Sequence, residues 1–131
     1  MNSLPLTSLV TLLVLILLSL TAFNVGRARG RYGVKAPAVS GHEMFERAFR
    51  VQMNTLEGVV LMLPALWLYA AFIDDRGAGV MGLIWLAART WYAIAYQRDP
   101  ATRGGGFVLG LLMFSGLWLG AFWGVLRVLL R

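Results

Sequence analysis

A stripe of charged and amide side chains lies in a segment that continues directly into an apolar run. On an ideal helix at about 100° per residue, five others lie within about 60° of Arg50; they are Glu43, Glu46, Arg47, Asn54 and Glu57. Gln52 lies about 200° away, on the opposite face. Ionisable groups cost about 2.5–3.5 kcal/mol each in a membrane, so they are normally paired, turned inward and functional.

Two interpretations of this stripe use the same residues differently. In the first, it is a structural ion-pair network, with Glu46 bonded to Arg50 and Glu57 bonded to Arg50 or Arg89. In the second, it lines a polar ligand site in the cytoplasmic half of the membrane. Gln52 needs a partner of its own, because an unsatisfied amide is costly in lipid. The position of Gln52 therefore predicts that protein packs against both faces of this helix, which in turn predicts an oligomer.

A second polar set follows further along the chain. Arg89, Tyr92 and Tyr96 stand at positions i, i+3 and i+7, and Arg103 follows just beyond the predicted helix. Two phenols and a guanidinium on one face suit a carboxylate or a thiolate. The alternative for the tyrosines is a belt of aromatic residues at the membrane interface, which is the interpretation favoured for Trp91.

The elements that position these residues follow from hydropathy. The chain has 131 residues, of which 59% are hydrophobic and 14% charged. Its apolar runs reach the length at which a spanning helix becomes the expected structure. We predict an all-α integral membrane protein, a four-helix bundle formed by one domain over residues 1–131. The predicted helices cover about residues 4–26, 42–73, 80–97 and 105–128.

Charge predicts the topology and excludes some functions. Basic loops are expected at 27–41 and 98–104 and an acidic turn at 74–77, which places the N-terminus outside and both basic loops in the cytoplasm. The net charge of +6 belongs mostly to these loops and does not indicate nucleic-acid binding. Because cysteine is absent and histidine occurs once, no protein thiol and no metal site are expected. Composition favours a bacterial inner membrane, with the endoplasmic reticulum as the alternative.

Two motifs carry a resemblance to a known family. The pattern Glu-Arg-x-x-Arg-x-Gln-x-Asn-x-x-Glu, from Glu46 to Glu57, closely resembles the signature of the MAPEG family, the membrane-associated proteins in eicosanoid and glutathione metabolism. The pattern Ala-Arg-x-x-Tyr-x-x-x-Tyr from Ala88 to Tyr96, with Arg103 seven residues later, is similar to the family's glutathione-using branch. Length and helix number agree over nearly the whole chain.

The resemblance implies a homotrimer that binds glutathione between neighbouring subunits near the cytoplasmic side. The residues it assigns to glutathione in one subunit are Arg50, Asn54, Glu57, Tyr92 and Tyr96. Arg29, or in its place Arg31, and Gln52 would reach in from the neighbour, and Arg89 is a further possible contact. Arg103 matches the arginine that stabilises the glutathione thiolate. One position departs from the eicosanoid-synthase pattern, because Gly58 stands where those enzymes have tyrosine.

The expected function is therefore a membrane-bound glutathione transferase. It would conjugate the glutathione thiolate to hydrophobic electrophiles taken from the membrane lipid, with peroxidase activity on lipid hydroperoxides as a further possibility and no metal required. The alternative within the family is a non-catalytic scaffold that binds lipid or glutathione. A small multidrug exporter is disfavoured, since such proteins need a carboxylate in the first helix and this chain has none there.

Overall fold

The computed structural model describes residues 3–131 and contains four long helices. They are α1 (Pro5–Tyr32), α2 (Glu43–Phe72), α3 (Asp75–Arg98) and α4 (Gly104–Leu129). A single 3-10 turn, Pro100–Thr102, lies between α3 and α4. All four helices are long and apolar enough to cross a membrane. The predicted fold class, an all-α protein with four membrane-spanning helices, is confirmed.

The first helix is longer than predicted. We expected it to end near residue 26 and a loop to begin at Arg27, but α1 continues to Tyr32 and ends at Gly33, whose φ of 68° is left-handed. Gly26 and Gly30 lie inside the helix, where each costs about 1 kcal/mol relative to alanine. Packing outweighs that cost, because this end of α1 is buried in an apolar cluster made of Val25, Ala28, Val34, Phe45 and Ala48.

The third helix begins earlier than predicted. We expected a turn at 74–77 and a helix from about residue 80, whereas α3 starts at Asp75. The Asp74 side chain caps it by accepting a hydrogen bond from the backbone N–H of Gly77. A capping aspartate satisfies a helix N-terminus well, so the glycines that follow do not prevent the helix from forming. His42 has the same capping role at the start of α2, where it accepts from Met44 N–H at 3.1 Å.

The carboxylate of Asp75 joins two helix starts. Its oxygens accept hydrogen bonds from the backbone N–H groups of Leu6 at 3.1 Å and Thr7 at 2.8 Å, in the first turn of α1. Those N–H groups have no acceptor within their own helix. The start of α3 therefore supplies the N-terminal cap of α1, at the end of the bundle opposite Arg103.

The core lies between α2 and α3, each of which packs against the three other helices. Trp85, Met62, Leu66 and Leu117 are completely buried there. The fourth helix approaches closely through glycine: a Cβ added at Gly124 would lie 2.8 Å from Phe72 Cβ. Leucines, phenylalanines and tryptophans cover the outer surface, as expected of helices that face lipid.

Candidate functional site

Three helices border an open polar cavity at the end of the bundle where α3 is followed by α4. Its volume is about 460 Å³. The residues that line it are Arg50 and Asn54 from α2, Tyr92 and Tyr96 from α3, and Arg103, Gly104 and Phe107 from the start of α4. Five of these seven residues were predicted from the two sequence motifs. We call this space the polar cavity.

The two tyrosines both line the polar cavity, as the ligand-site interpretation expects. Tyr92 is 3% exposed, Tyr96 is half-buried, and their ring centroids are 5.7 Å apart. Their spacing of four residues places both phenols on the same side of α3. Trp91 is half exposed and lies outside the lining of the polar cavity.

Arg103 stands at the entrance to α4. Its Nη1 donates a hydrogen bond of 2.7 Å to the carbonyl of Pro100, and its guanidinium carbon lies 5.9 Å from the centre of the Tyr96 ring. Gly104, the first residue of α4, also lines the polar cavity. The first N–H groups of a helix lack acceptors and carry its positive dipole end. An anion in this cavity therefore meets both a guanidinium and a helix N-terminus.

The polar stripe of α2 supplies the opposite wall. The Asn54 side chain donates from Nδ2 to the Arg50 carbonyl at 3.1 Å, and this bond leaves its amide oxygen for another partner. The Arg50 side chain is exposed at the cavity, where a carboxylate could reach it. Phe107 was not predicted as part of the site, although its spacing of four residues from Arg103 on α4 was a usable signal.

A second cavity of about 170 Å³ adjoins the first and is largely apolar. It shares Asn54 and Phe107 with the polar cavity, and Glu57 and Arg89 lie in its wall. The remaining lining residues are Gly58, Leu61, Trp85, Gly110, Leu111 and Phe114. We call this space the inner cavity. It extends the site from the polar end toward the middle of the membrane.

Arg89 is a buried cation in this inner cavity. It is 8% exposed, and among residues 3–131 neither Nε nor Nη1 has a hydrogen-bond partner. Its guanidinium lies against Gly58, where an added Cβ would come within 2.8 Å of Nη2. The space left by Gly58 is thus occupied by Arg89. Its guanidinium carbon is also 5.2 Å from the Tyr92 ring centre.

The predicted ion-pair network is not present. In the part of the chain that the structure describes, the only salt bridge joins Arg47 to Glu43 at 2.7 Å. Neither Arg50 nor Arg89 is bonded to Glu57 or Glu46, so that interpretation was wrong for this subunit. The physical reason is geometric, because Arg89 turns toward the aromatic rings and Gly58 while Glu57 is exposed.

The three residues expected to serve a neighbouring subunit lie away from the polar cavity. The Arg29 guanidinium donates to the Ala38 carbonyl at 2.7 Å and lies 4.8 Å from the Phe45 ring centre. Gln52 is half-buried and lines neither cavity. Arg31 lines a separate cleft beside α1. Within residues 3–131, no group of three or more histidine or acidic side chains is placed to hold a metal ion.

Comparison with known proteins identifies the family. The sequence model that describes the MAPEG family matches residues 7–123 of this chain. An uncharacterized protein from Synechocystis sp. is 45% identical over 120 residues, which cover 92% of this chain and 85% of that protein.

Two groups of named mammalian proteins are more distant. Microsomal glutathione S-transferase 2 from Homo sapiens is 36% identical over 69% of this chain and 61% of its own length. Leukotriene C4 synthase from Rattus norvegicus is 37% identical over 72% of this chain and 63% of its own length. The chain thus spans somewhat less than two thirds of these relatives. The match over nearly all of its four helices confirms the resemblance seen in the sequence, and the protein belongs to the MAPEG family.

Proposed function

We propose that this protein is a membrane-bound glutathione transferase that joins the glutathione thiolate to hydrophobic electrophiles. The observation that carries the proposal is the convergence of Arg50, Asn54, Tyr92, Tyr96 and Arg103 on one cavity. These residues come from three helices, and family resemblance assigns each of them to glutathione. The names of the two mammalian relatives, a glutathione S-transferase and a leukotriene C4 synthase, support the same chemistry.

The charges of the site complement those of glutathione, which carries two carboxylates, an ammonium group and a thiol. Arg50 and Arg103 offer planar guanidiniums that bind carboxylates or a thiolate. The exposed carboxylate of Glu57, one turn further along α2 than Asn54, offers a partner for the ammonium group. The amide of Asn54 and the phenols of Tyr92 and Tyr96 can form uncharged hydrogen bonds to the rest of the glutathione molecule.

The site is built to favour the thiolate. A free thiol has a pKa of about 8.5, so only a few per cent is ionised at neutral pH. A neighbouring guanidinium and a helix N-terminus both stabilise the charged form. Arg103 and the first turn of α4 provide the two together at the polar cavity. The thiolate sulfur then forms a bond to the electrophilic carbon, and the electron pair of the broken bond leaves with the leaving group.

The inner cavity gives the electrophile a place beside the thiol. Its walls are mostly apolar, and it continues through Leu61 and Phe114 into a groove of about 410 Å³ between α2 and α4. Trp118 and Phe122 in that groove are about half exposed. A molecule dissolved in the bilayer can therefore approach from the lipid side. A lipid hydroperoxide would take the same route and be reduced to its alcohol, while two glutathione molecules are oxidised to the disulfide.

The site is proposed to be complete only in a homotrimer. Arg29 and Gln52 lie away from the polar cavity of their own subunit, which agrees with a role toward a neighbouring copy. The basic ends of α1 and α3 are proposed to face the cytoplasm of a bacterial inner membrane, following the positive-inside rule.

The test is thiolate formation on the purified protein. Glutathione is titrated at neutral pH, and the thiolate is followed by ultraviolet difference absorbance while calorimetry follows binding. We expect a thiolate band in the wild type and its loss in Arg103→Ala, with binding weakened far less. Arg76→Ala, which removes an exposed arginine at the opposite end of α3, is the control and should keep the band.

Two results would contradict the proposal. A thiolate band of equal size in Arg103→Ala and the wild type would show that Arg103 does not stabilise the thiolate. Binding without any thiolate band in the wild type would instead favour the non-catalytic scaffold of the same family.

A further inference from the structure

A cleft separate from the polar and inner cavities lies where the last turns of α1 pack between the start of α2 and the end of α3. It consists of two adjoining cavities of about 210 and 270 Å³. Both are lined by Asn24, Ala48 and Gln97, so the two cavities lie side by side. Neither includes a residue of α4. We call this space the α1–α3 cleft.

The outer part of the cleft is basic. Arg27 and Arg31 lie one turn apart on α1 and line it together with Asn24 and Gln97, and Arg98 lines the adjoining part. The cleft has no acidic lining residue, and the salt bridge found in residues 3–131 does not involve these arginines. This arrangement exists only because α1 continues to Tyr32, which fixes the arginines on a helix.

The acidic groups of this end of the bundle, Glu43, Glu46 and Asp99, line neither part of the cleft. Glu43 is paired with Arg47, and Arg47 also donates to the backbone carbonyls of Gln97 and Arg98 at 3.1 and 2.9 Å. The Asp99 carboxylate accepts a hydrogen bond from Ala101 N–H. The outer cleft therefore presents uncompensated positive charge, which suits an anion.

The deeper part of the cleft is apolar. Away from Arg98 and Gln97 at its outer edge, its walls are Val51, Ala93 and Ile94, together with Thr21, whose hydroxyl is already bonded to the Leu18 carbonyl. Since α1 rises about 1.5 Å per residue, Thr21 lies roughly 9–15 Å deeper than Arg27 and Arg31. Ile94 is 52% exposed, so this part opens toward lipid. A charged end and an apolar depth in one cleft match an amphiphile better than a soluble anion.

We propose that the α1–α3 cleft binds an anionic phospholipid. Its phosphate lies between Arg27 and Arg31, and one acyl chain lies over Ala93 and Ile94. Basic pockets between membrane helices on the cytoplasmic side commonly hold such head groups. Arg29 takes no part, because it lines neither part of the cleft. The site does not depend on glutathione, so it can succeed or fail independently of the proposed function.

Native mass spectrometry of the purified protein tests the site. Phosphatidylglycerol and phosphatidylcholine with identical acyl chains are titrated into the same detergent. We expect phosphatidylglycerol to bind more tightly, and the double substitution Arg27→Gln and Arg31→Gln to weaken it by about tenfold or more. The matched control, Arg127→Gln with Arg131→Gln, removes the same charge at the other end of the bundle and should leave binding unchanged.

Two further experiments distinguish binding of a lipid from binding of a free anion. Ala93→Leu fills the apolar part and should weaken phosphatidylglycerol binding, while inorganic phosphate should not displace the lipid. Equal binding of the two lipids by the wild type, or equal loss in both double variants, would overturn the proposal. Displacement by inorganic phosphate together with an unaffected Ala93→Leu variant would also overturn it, because the site would then recognise the anion alone.

Discussion

Substituting Gly106 with alanine should separate α3 from α4 at the candidate site. A Cβ at this position would lie 2.7 Å from the Tyr92 backbone nitrogen and 2.8 Å from the Ala88 carbonyl oxygen. Both are backbone atoms, so no side chain can rotate out of the way. Ordinary Cβ contacts begin near 3.4 Å, and the two helices must therefore move apart by about 0.7 Å.

The cost follows from this displacement. Overpacking a well-packed region costs about 1–3 kcal/mol, and we expect the free energy of unfolding to fall by that amount. Tyr92 moves with α3 away from the opposing wall of the polar cavity. Because misplacing a binding group by about 1 Å can cost up to about a hundredfold in rate, we expect glutathione turnover to fall by about tenfold or more.

The two preceding glycines are internal controls. No described heavy atom lies within 4 Å of a Cβ at Gly104, so Gly104→Ala should be neutral or should stabilise the protein by up to about 1 kcal/mol. A Cβ at Gly105 would contact the Trp91 ring, which is half exposed and free to turn aside. Gly105→Ala should therefore have a smaller effect than Gly106→Ala.

Denaturant unfolding in detergent, followed by tryptophan fluorescence, measures the stability of all three variants, and conjugation of a hydrophobic electrophile measures turnover. The reasoning is refuted if Gly106→Ala unfolds at the same denaturant concentration as Gly104→Ala. Turnover in Gly106→Ala equal to that of the wild type would show that Tyr92 does not depend on the close approach of α4.

Three further substitutions test individual contacts. Asp75→Ala removes the acceptor of the Leu6 and Thr7 N–H groups and should lower the midpoint of denaturant unfolding. Asp75→Asn keeps one amide oxygen and should have an intermediate midpoint. Equal midpoints in the wild type and both variants would show that Asp75 does not stabilise α1 as a cap. Arg89→Met replaces a buried guanidinium whose Nε and Nη1 have no hydrogen-bond partner within residues 3–131. We therefore expect it to raise the free energy of unfolding by about 1–3 kcal/mol, while calorimetry shows weaker glutathione binding; unchanged binding would make Arg89 purely structural. Gly58→Ala forces the Arg89 guanidinium to move and should weaken glutathione binding in the wild type but not in Arg89→Met, and equal losses in both backgrounds would disprove the coupling.

The number and type of the helices were predictable because hydropathy and length decide them. The last residue of α1 and the first residue of α3 were not predictable from the sequence, and in both cases the reason is a contact with another helix. The glycines and arginines at 26–31 read as a loop, yet this segment is helical because Val25 and Ala28 are buried against α2. Asp74 and Asp75 read as a turn, yet one caps its own helix and the other caps α1.

The candidate site was predictable where its residues repeat on a helix face. Arg50 and Asn54 share a stripe, as do Tyr92 and Tyr96, and the structure brings both pairs to one cavity. The position of Arg89 was not predictable, because its contact with Gly58 joins two helices and leaves no periodic signal in either. Sequence periodicity predicts which side chains share a face of one helix, but it does not predict which residues of another helix that face contacts.

The carboxylate that caps α1 has a consequence for how the chain is made. Asp75 follows the N–H groups of Leu6 and Thr7 by 69 and 68 residues. A ribosome therefore delivers α1 to the membrane well before its cap has been synthesised, and α2 must cross before the cap can arrive. The cap of α1 therefore depends on a residue of α3, and α1 can acquire it only after α2 and the start of α3 have been made.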